Sequence, residues 1–289
     1  MNASTGLFWL SSYPKSGNTW FRIFLANVLN LSTENQPVYL NHVDKMINDH
    51  ITTTRTWVNK ASGLNADTLT DDEIDALLPN LYAQYNDEHT HVTYHKIHRA
   101  YSYVNGDQPL IPLDRCLGAI YFIRNPLDVA ISLANHFNFS IDDAIHMMGD
   151  KTFALDYYSL RQRLFSWSMH VESWVESKAN NLLILRYEDM IRKPLEVFTQ
   201  AVQFLKLPVS SEIIEQAISH ATFDKLKQFE NNIGFTDKPP KLKHFFRKGI
   251  AGDWKTTLTD QQIQQVIADH RKVMRKFGYL NKNNEPVVD

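Results

Sequence analysis

The chain has 289 residues, enough for one large α/β domain with a core that needs no covalent staples. Thirty Lys and Arg against 32 Asp and Glu leave a net charge of −2, which argues against a protein that works by wrapping nucleic acid. Cys116 is the sole cysteine, which excludes an internal disulfide and every thiolate zinc cage, and no run approaches the roughly 18 apolar residues of a membrane span. A lone cysteine fits a reducing compartment, and Met1 to Leu10 lacks the basic start of a signal peptide. The expectation is a soluble, cytoplasmic protein. No segment repeats and no Gly/Ser linker marks a boundary, so residues 1–289 are expected to form one domain.

In chain order, Leu7 to Leu10 is a short apolar run that reads as a buried strand. It breaks at Ser12 to Gly17, and a helix follows from about residue 19 to 29, apolar on nearly every side and hence a core helix. His91 to Ile97 reads as a second strand, and the unbroken apolar stretch Leu117 to Ile123 as a central parallel one. Asn125 then suits a helix N-cap and Pro126 the first helical position. Leu182 to Leu185 is another strand, followed by helices near 194–205, 211–219, 222–229 and 260–277, with a polar loop over about 231–253. Strands alternating with helices imply an α/β fold, a parallel sheet flanked by helices. Such sheets bind ligands at the carboxyl ends of their strands. Lys15, His98, Arg124 and Tyr187 all fall just beyond predicted strand ends, on one rim.

Strand, then Tyr13-Pro14-Lys15-Ser16-Gly17-Asn18-Thr19-Trp20, then helix is the layout of a phosphate cradle. Backbone N–H groups and the helix N-terminus face an anion, Lys15 adds a full charge, and Gly17 permits close approach. The ATP-type pattern G-x-x-x-x-G-K-[ST] is absent. A plain strand–turn–helix with an incidental lysine remains the bland reading of this stretch taken alone.

The same stretch resembles the 5′-phosphosulfate loop of the cytosolic sulfotransferases, which use 3′-phosphoadenosine 5′-phosphosulfate (PAPS). Tyr121 to Ser132, with Arg124, Asn125, Pro126 and Asp128, is similar to their 3′-phosphate segment, and Phe246-Arg247-Lys248-Gly249-Ile250-Ala251-Gly252-Asp253-Trp254-Lys255 to their C-terminal signature. The three segments occur in the family's order and extend from residue 7 to about 260.

By this resemblance Lys15, Ser16, Gly17, Asn18, Thr19 and Trp20 would hold the 5′-phosphosulfate end, with Lys15 stabilising charge on the leaving oxygen. Arg124, Ser132, Arg247, Lys248 and the Gly249 backbone would take the 3′-phosphate, the feature that separates PAPS from ATP. The bland alternative for Arg124 is a surface ion pair with Asp128. Lys238, Lys241 and Lys243 crowd the same basic stretch and are expected on the surface. Trp20, Tyr187 and Phe223 would line the adenine. Ala221-Thr222-Phe223 stands where the family has Thr-Ser-Phe, so Thr222 alone can supply a hydroxyl there.

Lys96-Ile97-His98 resembles the family's Lys-Thr-His catalytic stretch. His98 would be the general base toward an acceptor hydroxyl, and Lys96, on the same strand face, would help position the charges. Ile97 for Thr, and Arg99-Ala100 for Leu-Pro, depart from the pattern on the acceptor side. The products would be a sulfate ester of a small hydroxylated molecule and 3′-phosphoadenosine 5′-phosphate (PAP). The Tyr-Pro-Lys-Ser-Gly-Asn-Thr-Trp opening is also similar to bacterial natural-product sulfotransferases. A nucleotide kinase, a silent nucleotide-binding module and a dehydratase that sulfates and then eliminates are the alternatives.

His89, His91, His95 and His98 raise the question of metal. On a strand, His91 and His95 lie roughly 13 Å apart, too far for one zinc. No metal is expected. The family's dimer motif K-x-x-x-T-V-x-x-x-E reads here as Lys255, Thr259, Asp260 and Gln264, so that dimer is expected to be absent or weak.

Overall fold

A computed structural model describes residues 5–288 except 39, 157–158, 178–180, 236–237, 239–241 and 243. Four parallel strands form the central sheet: β1 (Gly6–Ser12), β2 (Val92–Ile97), β3 (Gly118–Ile123) and β4 (Leu182–Arg186), in the spatial order β2-β1-β3-β4. Ser11 pairs with both Ile97 and Tyr121, and Ile123 pairs with Arg186, so the strands end nearly in line. Each strand matches its sequence expectation to within two residues at either end. Two short antiparallel pairs, Tyr103–Val104 with Gln108–Pro109 and Ala154–Leu155 with Gln162–Arg163, lie outside the sheet.

The main helices are α1 (Asn18–Thr33), α2 (Asp71–Glu88), α3 (Pro126–Phe137), α4 (Ile141–Gly149), α5 (Trp167–Val175), α6 (Pro194–Phe204), α7 (Ser211–His220), α8 (Phe223–Ile233) and α9 (Asp260–Lys276). Asn125 caps α3 as expected, its side chain accepting the Leu127 N–H at 3.0 Å, and Pro126 is the first helical residue.

The apolar strands look continuous in sequence because both faces of the sheet are covered, yet their period of two survives. Leu7 and Trp9 of β1 join Ala119 and Tyr121 of β3 in one core, while Phe8 and Leu10 join Ile120 and Phe122 in a second. Residues of α2, α5 and α9 belong to the first core, and residues of α1, α6 and α7 to the second. Burying a side chain such as Phe122 or Leu10 contributes roughly 1.5–3 kcal/mol, so a sheet buried on both faces fixes the strand ends firmly. The segments 31–90 and 139–170, which carry no motif, supply α2, α4 and part of α5. Among the described residues, no helix is long and apolar enough to cross a membrane.

Candidate functional site

The strand order arrays four side chains along one rim. His98 follows β2 directly, Lys15 lies three residues beyond β1, Arg124 follows β3 and Tyr187 follows β4.

Beyond β1 the chain makes a tight loop. Lys15 adopts φ 69° and Gly17 φ 100°, and Gly17 is the N-cap of α1. A left-handed lysine is uncommon, and it turns successive peptide N–H groups into a concave path at a helix N-terminus, where an anion is favoured. The Ser16 hydroxyl is fully buried and has no hydrogen-bond partner among the described residues. Lys15 Nζ lies 4.1 Å over the Phe245 ring and 3.4 Å from His136 Nδ1. Thr19 occupies the first turn of α1, half-exposed.

Two expectations for this loop change. Asn18 turns its side-chain amide inward, donating to the Leu10 carbonyl at 2.8 Å and lying 3.4 Å from Ser12 Oγ, so it can offer an anion only its backbone N–H. Gly17 is required by protein as well as by ligand: a Cβ there would sit 2.7 Å from Cδ2 of Tyr187.

His98 is held at three points. Its Nδ1 lies 2.8 Å from the Ser12 carbonyl oxygen, with Ser12 Oγ at 3.3 Å. A carbonyl only accepts, so Nδ1 carries the proton and Nε2 presents a lone pair. Nε2 has no partner among the described residues. The His98 N–H donates to Gln162 Oε1 at 3.2 Å, and the His98 carbonyl accepts from His170 Nε2 at 2.9 Å. Burial, then the nearby Lys96 charge, push the His98 imidazole well below its ordinary value, so it is neutral near pH 7.

Lys96, on the same strand face, is buried and paired with Asp49 at 2.8 Å. Burial alone would raise the Asp49 carboxyl, but Lys96 outweighs it and holds it below the usual range. The two departures beside His98 have local reasons. Ile97 is a fully buried core residue, and Arg99 forms a buried ion pair with Asp75 at 2.6 Å.

Arg124 does not pair with Asp128 as the bland reading has it. Its guanidinium donates to the Lys15 carbonyl at 3.1 Å and the Ile250 carbonyl at 3.2 Å, and lies 4.2 Å over the Tyr187 ring, while its buried Nε has no partner among the described residues. Asp128 instead accepts the N–H groups of Gly252 and Trp254, at 2.7 and 3.0 Å. At the other end of the same strap, buried Glu230 accepts the N–H groups of Phe245 and Phe246, at 2.6 and 2.9 Å. Two buried carboxylates therefore hold the two ends of the basic segment, Asp128 from α3 and Glu230 from α8.

Within the strap, Arg247 and Lys248 both pair with Asp253. Burial pushes the Asp253 carboxyl up, but hydrogen bonds from Lys248 and Arg247 outweigh it and lower it. Gly249 adopts φ 65°, and a Cβ there would come 2.1 Å from Cδ2 of Phe223. Ser132 is half-exposed on α3. Lys238, expected on the surface, is half-buried and 3.8 Å from Glu230; Lys241 and Lys243 lie outside the described residues.

The proposed adenine slot assembles in part. Trp20 meets Tyr187 edge-on at 6.0 Å, and its indole N–H donates to the Ala221 carbonyl at 2.7 Å, two residues before Phe223. Thr222 is exposed, with its hydroxyl 3.5 Å from the Ser219 carbonyl. Sequence reasoning missed His136, Phe245, Gln162, His170 and Glu230, whose partners lie between 15 and 230 residues away. A groove of about 860 Å³ between α4 and α9, lined by Asp142, His146 and Asp269 among others, involves none of the rim residues.

The rim brings together a strand–loop–helix turn and a second cationic strap on a parallel α/β sheet, and comparison with known proteins shows the family. A family model described as a sulfotransferase domain matches residues 7–278, and the chain belongs to that family. It is 30% identical over 177 residues to sulfotransferase 1A1 of Canis lupus familiaris, a match covering 59% of each chain, so it spans less than two thirds of that relative. Mouse sulfotransferase SULT7A1, solved complexed with PAP, is 21% identical with a TM-score of 0.59, over 95% of this chain and 87% of that one. Retinol dehydratase, solved with androsterone and inactive cofactor PAP, is 19% identical with a TM-score of 0.64, over 96% and 83%. At these identities the two structures share the fold.

Proposed function

We propose that the protein is an enzyme that moves the sulfuryl group of PAPS to the hydroxyl of a small-molecule acceptor, forming a sulfate ester and PAP. The observation that carries this reading is one rim holding a phosphate loop, a second cationic strap and a neutral histidine with its Nε2 lone pair presented. The residues fit the nucleotide: the Ser16 hydroxyl and Arg124 Nε are buried donors with no partner among the described residues, as an anion site requires. When bound, PAPS supplies an electrophilic sulfur and a phosphate leaving group.

His98 takes the acceptor's proton through Nε2. Lys15 and the loop N–H groups hold charge that grows on the leaving oxygen. Burial, with the Lys96 charge second to it, keeps the base uncharged, and Asp49 holds Lys96 in place. Arg124, Ser132, Arg247, Lys248 and the Gly249 N–H hold the 3′-phosphate, and Trp20, Tyr187 and Phe223 hold the base ring. The chemistry invokes no metal, and the protein works in the cytoplasm apart from nucleic acid and membrane. Dimerisation through residues 255–264 is weak in this reading, because Asp260 and Gln264 stand where the family motif has Val and Glu.

The test is thermal stabilisation by PAP against AMP, followed by a screen of hydroxylated acceptors with labelled PAPS. PAP is expected to raise Tm well above the AMP value through mass action. Equal shifts would remove the 3′-phosphate assignment, and tighter binding of ATP would favour a kinase.

A further inference from the structure

We infer that His170 is a positioning residue for the base: fully buried on α5, it holds the backbone carbonyl of His98 and fixes that imidazole relative to the phosphate loop. This rests on the reading of His98 as the base.

The proton arrangement around His170 is determined by its partners. Its Nε2 lies 2.9 Å from the His98 carbonyl oxygen, which can only accept, so Nε2 carries hydrogen. Burial lowers the His170 imidazole to about 4, so the ring is neutral near pH 7 and its Nδ1 is a bare lone pair. Tyr121 Oη lies 2.9 Å from that Nδ1 and must therefore donate. Burial raises the Tyr121 hydroxyl well above its ordinary value, so it keeps the proton it gives. The chain runs one way, from Tyr121 through His170 to His98.

Its anchor points span the site. Tyr121 belongs to β3 and pairs in register with Ser11 of β1, next to the Ser12 carbonyl that holds the His98 ring. The His170 ring stacks on Tyr121 at 5.7 Å and meets Tyr13, which opens the phosphate loop, edge-on at 5.3 Å. One face of α5 continues the support. Ser173 Oγ accepts the Tyr101 N–H at 3.1 Å, and Trp174 Nε1 donates to the Arg99 carbonyl at 3.0 Å. Positions 170, 173 and 174 are neighbours on a helix and splint residues 98–101. Of these three α5 residues, only His170 grips residue 98 itself. Without it a buried carbonyl loses its donor, and the peptide that aims the base can rotate.

His170→Phe fills the slot without the donor, and His170→Gln keeps an N–H near the Nε2 position. His170→Phe should lower kcat roughly 10- to 100-fold, the cost of a displacement on the order of 1 Å at a reacting group, with PAP affinity unchanged within about twofold. His170→Gln should restore most of that loss. In a His98→Ala background, His170→Phe should make no further difference to the residual rate, because a removed base cannot be misaimed. If His170→Phe fails to fold, Tyr121→Phe, which deletes only one hydroxyl, should lower kcat at constant PAP affinity. Unchanged kcat in the variant that folds overturns the proposal. A crippled His98→Ala enzyme that still loses the full His170→Phe factor overturns it alone, whereas near wild-type turnover in His98→Ala removes the base and this proposal together.

Discussion

The Ser12 carbonyl oxygen lies 2.8 Å from Nδ1 of His98, so the last residue of β1 orients the first side chain beyond β2. The two strands are parallel neighbours whose final paired residues are Ser11 and Ile97. β1 also delivers the phosphate loop. A single strand end thus bears on the positions of both Lys15 and the His98 ring, the proposed base.

The first prediction follows from that ring. His98→Ala should lower kcat by roughly 10²–10⁴-fold, the usual worth of a general base, with little change in PAP affinity. Because burial and Lys96 push the imidazole well below 6.5, the wild-type rate should stay level through pH 6.5 and fall only in more acid solution. The His98→Ala enzyme should lack that acid limb. Turnover near wild type in the variant would leave the base unassigned.

Lys15 should behave differently. Its ammonium lies between the Phe245 ring and His136 at the loop, and in the proposed function it meets both bound phosphate and growing charge. Removing a charged hydrogen bond of about 1.5–3 kcal/mol should weaken PAP binding by roughly 10- to 100-fold. Lys15→Ala should also lower kcat by about 10²–10³-fold, as losing one oxyanion donor does. Calorimetric titration with PAP separates the two: full affinity beside a lost rate would confine Lys15 to the transition state.

Gly249 tests the strap. An alanine Cβ at φ 65° would come 2.1 Å from the Phe223 ring, so either the strap lifts or the ring moves out of the slot. Gly249→Ala should weaken PAP binding about tenfold or more. Gly63→Ala is the matched control, since Gly63 has φ 72° and nothing within 4 Å of its would-be Cβ. It carries the backbone strain of about 1–2 kcal/mol without the clash. Equal effects of the two substitutions on PAP affinity would show that Phe223 is not part of the slot.

The rim was legible in sequence because parallel strands buried on both faces read as unbroken apolar runs, and each ran directly into a polar motif. Helix α2 was present as a signal but carried no chemistry. Thr70 and Glu73 form its capping box, and Ile74, Leu78, Leu81 and Tyr82 fall at helical spacing on its buried side. What local spacing cannot encode is pairing at a distance. Asp128 meets the N–H groups of Gly252 and Trp254, and His170 the His98 carbonyl, across 72 to 126 residues of sequence. Asn18 shows the reverse, a residue whose place in a motif suggests a ligand while its side chain serves the strand beneath it.

The last prediction concerns acid. Burial lowers His170 and His270 to about 4, and burial with His50 and His89 lowers His95 to about 3. In the unfolded chain these imidazoles take up protons near the ordinary 6.5. Between pH 6.5 and 4 the unfolded chain therefore binds more protons than the folded one, so this stability is fully present above pH 6.5 and is lost as pH falls. Each ring costs about 1.4 kcal/mol per pH unit, and three together roughly 4 kcal/mol per unit, against a typical total of about 5–15 kcal/mol. The urea midpoint should hold steady from pH 8 to 7, drop steeply below 6.5 and reach unfolding within one to several units. His270→Gln should make that slope shallower by about one proton, since His270 lies on α9 beside Ser168 and Trp167, apart from the rim. A midpoint that stays level down to pH 5 would mean that these rings gain protons as readily in the folded chain, and that the interior around them admits charge.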